Sequence, residues 1–121
     1  MGLKSLFTRA RDGYVYRQAM GAPLPSFTDS APVRYRILFK GRVQKVGFRY
    51  ETELLAQRLG LTGRCINLPD GDVLAELQGS PERIDFYVDF MKSLKRIRVD
   101  SADITPLPLD PAEIEFDKSK K

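Results

Sequence analysis

The residues best suited to chemistry lie in one basic, glycine-containing stretch, residues 41–49. Residues 34–49 contain no acidic side chain, and their basic ones are Arg34, Arg36, Lys40, Arg42, Lys45 and Arg49. A loop between a strand and a helix start collects backbone N–H groups at the positive end of the helix dipole. Arg49, at the end of the stretch, can add a planar fork of donors to a phosphate. The stretch predicts an anion site; a solvated basic turn is the alternative.

The side chains that the sequence lacks narrow the chemistry. There is no histidine, which excludes a histidine general base, a Ser–His or Cys–His pair and a histidine-ligated metal. Cys65 is the only cysteine, so an internal disulfide and a thiolate zinc cluster are also excluded. Catalysis would have to use Arg, Lys, Asn, carboxylates and backbone amides. We expect neither a metal nor a cofactor.

Length and composition indicate one globular domain. The chain has 121 residues, of which 42% are hydrophobic and 30% charged, and no apolar run approaches the ~20 residues of a membrane span. We therefore expect a soluble, cytoplasmic monomer without membrane association. The net charge of +4 is small, and no basic stripe with interleaved aromatic residues is present, which argues against nucleic acid as a partner.

Residues 1–32 have the composition of an N-terminal extension. Apolar side chains recur at helical spacing on one face: Leu3, Leu6, Phe7, Ala10 and Tyr14. Residues 22–32 then contain three prolines together with Ser, Thr and Asp, which is typical of a linker. A single short helix is marginal in water. The extension is predicted to be either flexible or a short docking helix followed by this linker.

The elements around the basic stretch predict an α+β fold. Tyr35, Ile37 and Phe39 alternate with charged residues in a strand over residues 34–40, and a helix follows over 48–59. Strands are predicted at 61–68, 73–77 and 99–105, a second helix begins at Ser80, and a short terminal strand over 113–117 turns Ile114 and Phe116 inward. The order β-α-β-β-α-β is the ferredoxin-like split β-α-β sandwich, with two helices on one face of an antiparallel sheet.

Two motifs resemble a known family. Residues 41–49, Gly-Arg-Val-Gln-Lys-Val-Gly-Phe-Arg, resemble the acylphosphatase loop, usually G-x-V-Q-G-V-x-F-R. Residues 60–71, Gly-Leu-Thr-Gly-Arg-Cys-Ile-Asn-Leu-Pro-Asp-Gly, resemble the family's second block, G-L-x-G-W-V-x-N-x-x-D-G. The resemblance covers residues 33–118. Residues 33–121 are thus expected to form an acylphosphatase-like domain.

The resemblance implies metal-independent hydrolysis of an acyl phosphate to a carboxylate and inorganic phosphate, without a phosphoenzyme. It implies that Arg49 holds the phosphoryl group and that Asn67 positions the attacking water. The loop residues implied to bind phosphate are Val43, Gln44, Lys45, Val46, Gly47 and Phe48. Inorganic phosphate or sulfate would compete with the substrate.

The sequence departs from the family pattern at Lys45, where the loop usually has glycine, and at Arg64, where an aromatic residue is usual. If position 45 needs a positive φ, its β-carbon costs roughly 1–2 kcal/mol. This leaves a second hypothesis, a catalytically weakened module that binds a phosphorylated ligand. A third, a weak nucleic-acid binder, lacks the paired strand aromatics needed for base stacking. Asn67 has the alternative of capping the turn before Pro69.

Overall fold

The computed structural model describes residues 2–118. Its helices and strands follow the chain in this order: α1 (Leu3–Gly21), β1 (Val33–Arg42), α2 (Phe48–Arg58), β2 (Thr62–Asn67), β3 (Val73–Gly79), α3 (Pro81–Ser93) and β4 (Arg98–Leu107). None of the helices in the described part of the chain is both long and apolar enough to cross a membrane.

The sheet has the strand order β2-β3-β1-β4, and every neighbouring pair is antiparallel. Two crossover connections, each containing a helix, produce this order from the chain sequence β1-α2-β2-β3-α3-β4. The ferredoxin-like α+β fold predicted from the sequence is confirmed.

The core lies between the sheet and the helices α2 and α3. Along β1 the buried Ile37 and Phe39 alternate with the exposed Arg36 and Lys40, as a strand with one covered face requires. The predicted apolar face of α3 is buried as well: Ile84, Tyr87, Val88, Met91 and Leu94. This face of the sheet is therefore covered by two helices whose positions the hydrophobic periodicity predicted correctly.

The terminal segment differs from the prediction. In place of a short strand, residues 113–117 make a single parallel bridge between Phe116 and Gly63 of β2. Phe116 is buried, but Ile114, expected to point inward, is 86% exposed. Because residues 113–117 do not continue as a strand beyond this bridge, no neighbouring surface covers Ile114.

Helix α1 packs against α2 through a face other than the one that its apolar spacing indicated. The buried side chains of α1 are Val15 and Ala19. The face predicted from spacing is exposed instead, at Leu3, Leu6, Phe7, Ala10 and Tyr14. Small side chains let the two helices approach closely, so the contact needs few large apolar residues. The larger ones remain on the outer side of the helix.

The C-terminal end of α1 is held by side chains of the domain. Arg58 of α2 donates from Nη1 to the carbonyl oxygens of Ala19 and Ala22, at 2.6 and 2.8 Å. These are carbonyls that a helix end leaves without backbone partners. Further along, the ring of Phe27 packs edge-on against Phe86 with centroids 5.7 Å apart. Both the helix and the linker are thus seated on the domain.

Arg96, between α3 and β4, connects three parts of the molecule. Its Nε donates to the carbonyl oxygen of Val46 in the loop, its Nη1 donates to Oε1 of Gln18 in α1 at 2.9 Å, and its Nη2 donates to Oε1 of Glu51 in α2 at 2.9 Å. Glu51 is completely buried, and its Oε2 has no hydrogen-bond partner within residues 2–118. Burial raises the pKa of the Glu51 carboxyl, and Arg96 opposes that rise.

Arg96→Met should therefore destabilise the protein by about 3–5 kcal/mol, because it leaves a buried carboxylate without its partner. A carboxyl whose folded pKa is raised contributes stability below its unfolded pKa and loses it as pH rises through the folded value. Removing Arg96 raises that pKa further, so the deficit should be larger near pH ~8 than near the ordinary value of 4.5. Urea denaturation at both pH values measures the difference.

The matched control is Arg96→Met combined with Glu51→Gln, which removes the buried charge. The double variant should recover part of the lost stability, and its deficit relative to the parent protein should no longer grow with pH. An Arg96→Met deficit that is the same at both pH values would contradict this assignment of the buried charge.

Candidate functional site

A cavity of about 500 Å³ opens where the loop after β1, the start of α2 and the end of β2 meet. This volume is within the range of small-ligand sites. Its lining residues come from five parts of the chain: Arg11, Asp12, Val43, Lys45, Gly47, Phe48, Arg49, Tyr50, Glu53, Cys65, Asn67, Phe116, Asp117 and Lys118.

The loop backbone is shaped by two residues in the left-handed region. Lys45 has φ +62° and Gly47 has φ +80°. Among residues 2–118, Lys45 is the only residue other than glycine with a positive φ. Left-handed residues in a turn gather successive N–H groups into a concave anion site. Position 45 therefore does have a positive φ, which glycine adopts more easily and which costs lysine roughly 1–2 kcal/mol.

The peptide between Val46 and Gly47 is oriented by Arg96. The carbonyl oxygen of Val46 accepts the Arg96 hydrogen bond, and the chain has no cis peptide among its described residues. In a trans peptide the following N–H points opposite to the carbonyl. The N–H of Gly47 is therefore directed away from Arg96, which is not among the residues that line the cavity.

Helix α1 rests on the same loop. A β-carbon placed on Gly47 would lie 2.8 Å from Cγ2 of Val15 and 3.7 Å from Nε of Arg11. The first distance is too short for a real contact, so a side chain at position 47 would force α1 away from the loop. The absence of a β-carbon lets α1 form one wall of the cavity.

Arg49 is the second residue of α2, whose N-terminus has no side-chain cap. Its guanidinium makes no hydrogen bond or ion pair within residues 2–118, and its side chain is partly exposed at the cavity. A cation in the first turn opposes the helix dipole. An anion bound at this helix start would compensate both the dipole and the unpaired guanidinium.

Asn67 is the last residue of β2 and lines the cavity. The alternative role of turn cap is filled by other groups. Oδ1 of Asp70 accepts from the N–H of Asp72 at 3.0 Å, and the N–H of Leu68 donates to the carbonyl of Asp72 at 2.8 Å. The side chain of Asn67 makes no hydrogen bond within the described residues, which leaves its amide available to a ligand.

Gln44 links the loop to the hairpin that carries Asn67. Its Nε2 donates to the carbonyl oxygens of Leu68 and Asp72 at 2.7 and 2.8 Å. Of the loop residues predicted to bind phosphate, Val43, Lys45, Gly47 and Phe48 line the cavity together with Arg49 and Asn67, whereas Gln44 and Val46 do not. The last two hold the loop in place through the contacts described above.

Three of the six basic residues between positions 34 and 49 form ion pairs away from the cavity. Arg34 pairs with Glu113 at 2.7 Å, Arg36 with Glu76 at 3.3 Å and Lys40 with Asp72 at 2.8 Å. Arg64, the other departure from the family pattern, pairs with Glu76 at 2.9 Å. Of the six basic residues between positions 34 and 49, Lys45 and Arg49 line the cavity.

The cavity contains charges that the two motifs did not indicate. Arg11 and Lys118 add positive charge, and the acidic lining residues are Asp12, Glu53 and Asp117. Burial, followed by Asp12 and Glu53, raises the pKa of the Tyr50 hydroxyl. Nothing in the sequence pattern marks Arg11 and Asp12 as site residues, because their place depends on how α1 docks.

Comparisons with known proteins agree with the motifs. The sequence profile of the acylphosphatase family matches residues 35–118, so α1 and the linker lie outside the match. An acylphosphatase of Clostridium beijerinckii is 39% identical over 85 residues, covering 69% of this chain and 94% of the relative. An acylphosphatase of Pediococcus pentosaceus is 42% identical over 71 residues, covering 57% of this chain and 79% of the relative.

Solved structures give the same result. The crystal structure of acylphosphatase from Bacillus subtilis superposes with a TM-score of 0.64 at 29% identity, covering 69% of this chain and 94% of that chain. The family profile spans more than half of the sequence and includes all the cavity-lining elements except α1. The chain belongs to the acylphosphatase family.

Proposed function

We propose that this protein hydrolyses acyl phosphates at the cavity between the loop, α2 and β2. The observation that carries the proposal is the convergence on one cavity of a left-handed loop, an unpaired arginine and an unpaired asparagine. Curated relatives named acylphosphatase support the reaction class. Membership of that family makes the chain a hydrolase whose substrate is a small acyl phosphate.

In the proposed mechanism the loop N–H groups and Arg49 hold the phosphoryl oxygens, and the Asn67 amide orients a water molecule for in-line attack. The water oxygen forms a bond to phosphorus while the bond from phosphorus to the carboxyl oxygen breaks. The electron pair of the broken bond leaves on the carboxylate, and the protons of the water remain on the phosphate or pass to solvent.

Hydrolysis of an acyl phosphate requires a positioned water molecule and neutralised charge on the phosphoryl oxygens, and it does not require a strong acid. A carboxylate is already a good leaving group, so no side chain needs to protonate it. Fixed donors around the phosphoryl oxygens supply most of phosphoryl-transfer catalysis. A site made of Arg49, Asn67 and backbone amides is adequate for an acyl phosphate. We further propose that the protein acts as a cytoplasmic monomer and that phosphate and sulfate compete for the cradle.

Arg49→Ala should lower kcat/KM for acetyl phosphate by on the order of 10³, because it removes the unpaired guanidinium that would hold the phosphoryl oxygens at the start of α2. It should also abolish stabilisation by phosphate, which at 100 times its Kd adds about 2.7 kcal/mol to the free energy of unfolding. Arg49→Lys should recover little, since a point charge does not replace the fork.

The control for Arg49 is Arg42→Ala, a basic residue of the same stretch that does not line the cavity. It should retain both activity and phosphate stabilisation. Equal losses in the two variants would show that general positive charge, and not the cradle, binds the anion.

Asn67→Ala should lower kcat by on the order of 10² or more while the inhibition constant of phosphate stays nearly unchanged, because the amide acts on water and not on the phosphoryl group. Steady-state kinetics with phosphate as inhibitor separate the two effects. Asp70→Ala is the structural counterpart, because it removes a turn hydrogen bond. It should lower the melting temperature and leave kcat nearly unchanged. The opposite ranking would reject the assignment.

Lys45→Gly should stabilise the protein by ~1 kcal/mol, since glycine adopts the left-handed backbone without strain. The same change removes a cation at the cavity, so KM should rise modestly, and more at low salt than at high salt. Lys45→Ala separates the effects, because it loses the charge but keeps the β-carbon. A restored kcat in Lys45→Gly from an inactive parent would show that the natural chain binds phosphate without turnover.

A further inference from the structure

A second, apolar groove adjoins the phosphate cavity. It has a volume of about 780 Å³ and is lined by Leu3, Lys4, Phe7, Thr8, Arg11 and Lys45. Arg11 and Lys45 line both spaces, so the groove begins where the cavity ends. The rest of its walls comes from the first two turns of α1, outside the part of the chain that the family profile matches.

The apolar side chains of this groove are not covered by any other part of residues 2–118. Leu3 is 68% exposed and Phe7 is 65% exposed, although α1 buries Val15 and Ala19 against the domain. Long Lys and Arg side chains add methylene stems to such a surface while their charged ends stay polar. The groove therefore combines apolar surface along Leu3 and Phe7 with the cation of Lys45 where it meets the phosphate cavity, while Arg11 at the same place is paired with Asp12 at 3.4 Å.

The position of α1 relative to the loop is fixed by contacts near the cavity. Val15 packs on Gly47, Gln18 accepts a hydrogen bond from Arg96, and Arg58 holds the C-terminal carbonyls of the helix. From Arg11 back to Leu3 the helix rises by ~12 Å, at ~1.5 Å per residue. An extended acyl chain of about eight carbons has a similar length.

We propose that this groove is the subsite for the acyl group, and that the protein favours acyl phosphates whose acyl chain is apolar and several carbons long. This inference rests on the proposed function. With the phosphoryl group in the loop, the carboxyl end of the substrate lies beside Arg11 and Lys45, and the chain continues along Leu3 and Phe7. Because the groove is continuous with the phosphate cavity, we assign it to the acyl chain of the substrate and not to a membrane surface or a second copy of the protein.

The test compares octanoyl phosphate with acetyl phosphate, both below the concentration at which the longer one aggregates. A buried methylene contributes roughly fourfold in affinity, and about twofold where half of its surface stays in water. The kcat/KM of octanoyl phosphate should therefore exceed that of acetyl phosphate by on the order of 50-fold. The gain should appear in KM, because the chain contacts the groove equally in the ground and transition states.

Phe7→Ser and Leu3→Ser should each reduce this ratio about fivefold, and octanoate should inhibit the parent protein more strongly than acetate. Leu6→Ser is the matched control: Leu6 is an apolar residue of the same helix, 54% exposed, that does not line the groove. It should leave the ratio unchanged.

Each other result overturns a stated part of the argument. Hydrolysis of acetyl phosphate without a preference for octanoyl phosphate rejects the acyl subsite but not the proposed function. Equal losses in Leu6→Ser and Phe7→Ser also reject it, because they indicate a general apolar face that adsorbs lipid or a second copy. No hydrolysis of either substrate rejects the proposed function and the substrate class with it.

Discussion

The hydrogen bond from Arg96 to the carbonyl of Val46 is the contact on which the site depends. It sets the orientation of a peptide in the middle of the loop between β1 and α2. The same guanidinium reaches Gln18 of α1 and the buried Glu51 of α2, so one residue fixes the loop relative to both helices. A buried ion pair of this kind is weak support for stability, because desolvation of the two charges offsets their attraction. Its value here lies in positioning the loop.

The loop carries backbone strain where an anion would bind. A lysine in the left-handed region is less stable than a glycine, and such strain tends to be found at functional sites. The strained Lys45 contributes its side chain to two spaces, because it lines both the cavity and the apolar groove. A glycine at this position would remove one of the cations that line the cavity and one wall of the groove. The lysine that departs from the family pattern thus borders the same groove as α1, which lies outside the profile match.

The sequence predicts those parts of the fold that depend on local pattern. Alternation in β1 and the apolar face of α3 located the core, and two motifs located Arg49 and Asn67 on one cavity. Features that depend on distant contacts were missed. No sequence pattern marks Glu51 as buried, yet its side chain is buried and hydrogen-bonded to Arg96, 45 positions along the chain. The docking face of α1 was also missed, because Val15 and Ala19 carry little hydrophobic signal compared with Leu3, Leu6 and Phe7.

Cys65 decides between two routes for phosphoryl transfer. It lines the cavity close enough to Arg49 to sense its charge, and a cysteine beside an arginine could in principle attack phosphorus itself. The thiolate is the nucleophile, however, and burial raises the pKa of the Cys65 thiol to about 12, with Thr52 and Arg49 opposing the rise only in part. Near neutral pH only about one thiol in 10⁵ would then be ionised. An acyl phosphate gains nothing from a covalent intermediate, because its leaving group departs readily. Direct attack by water is the route that both the thiol and the substrate favour.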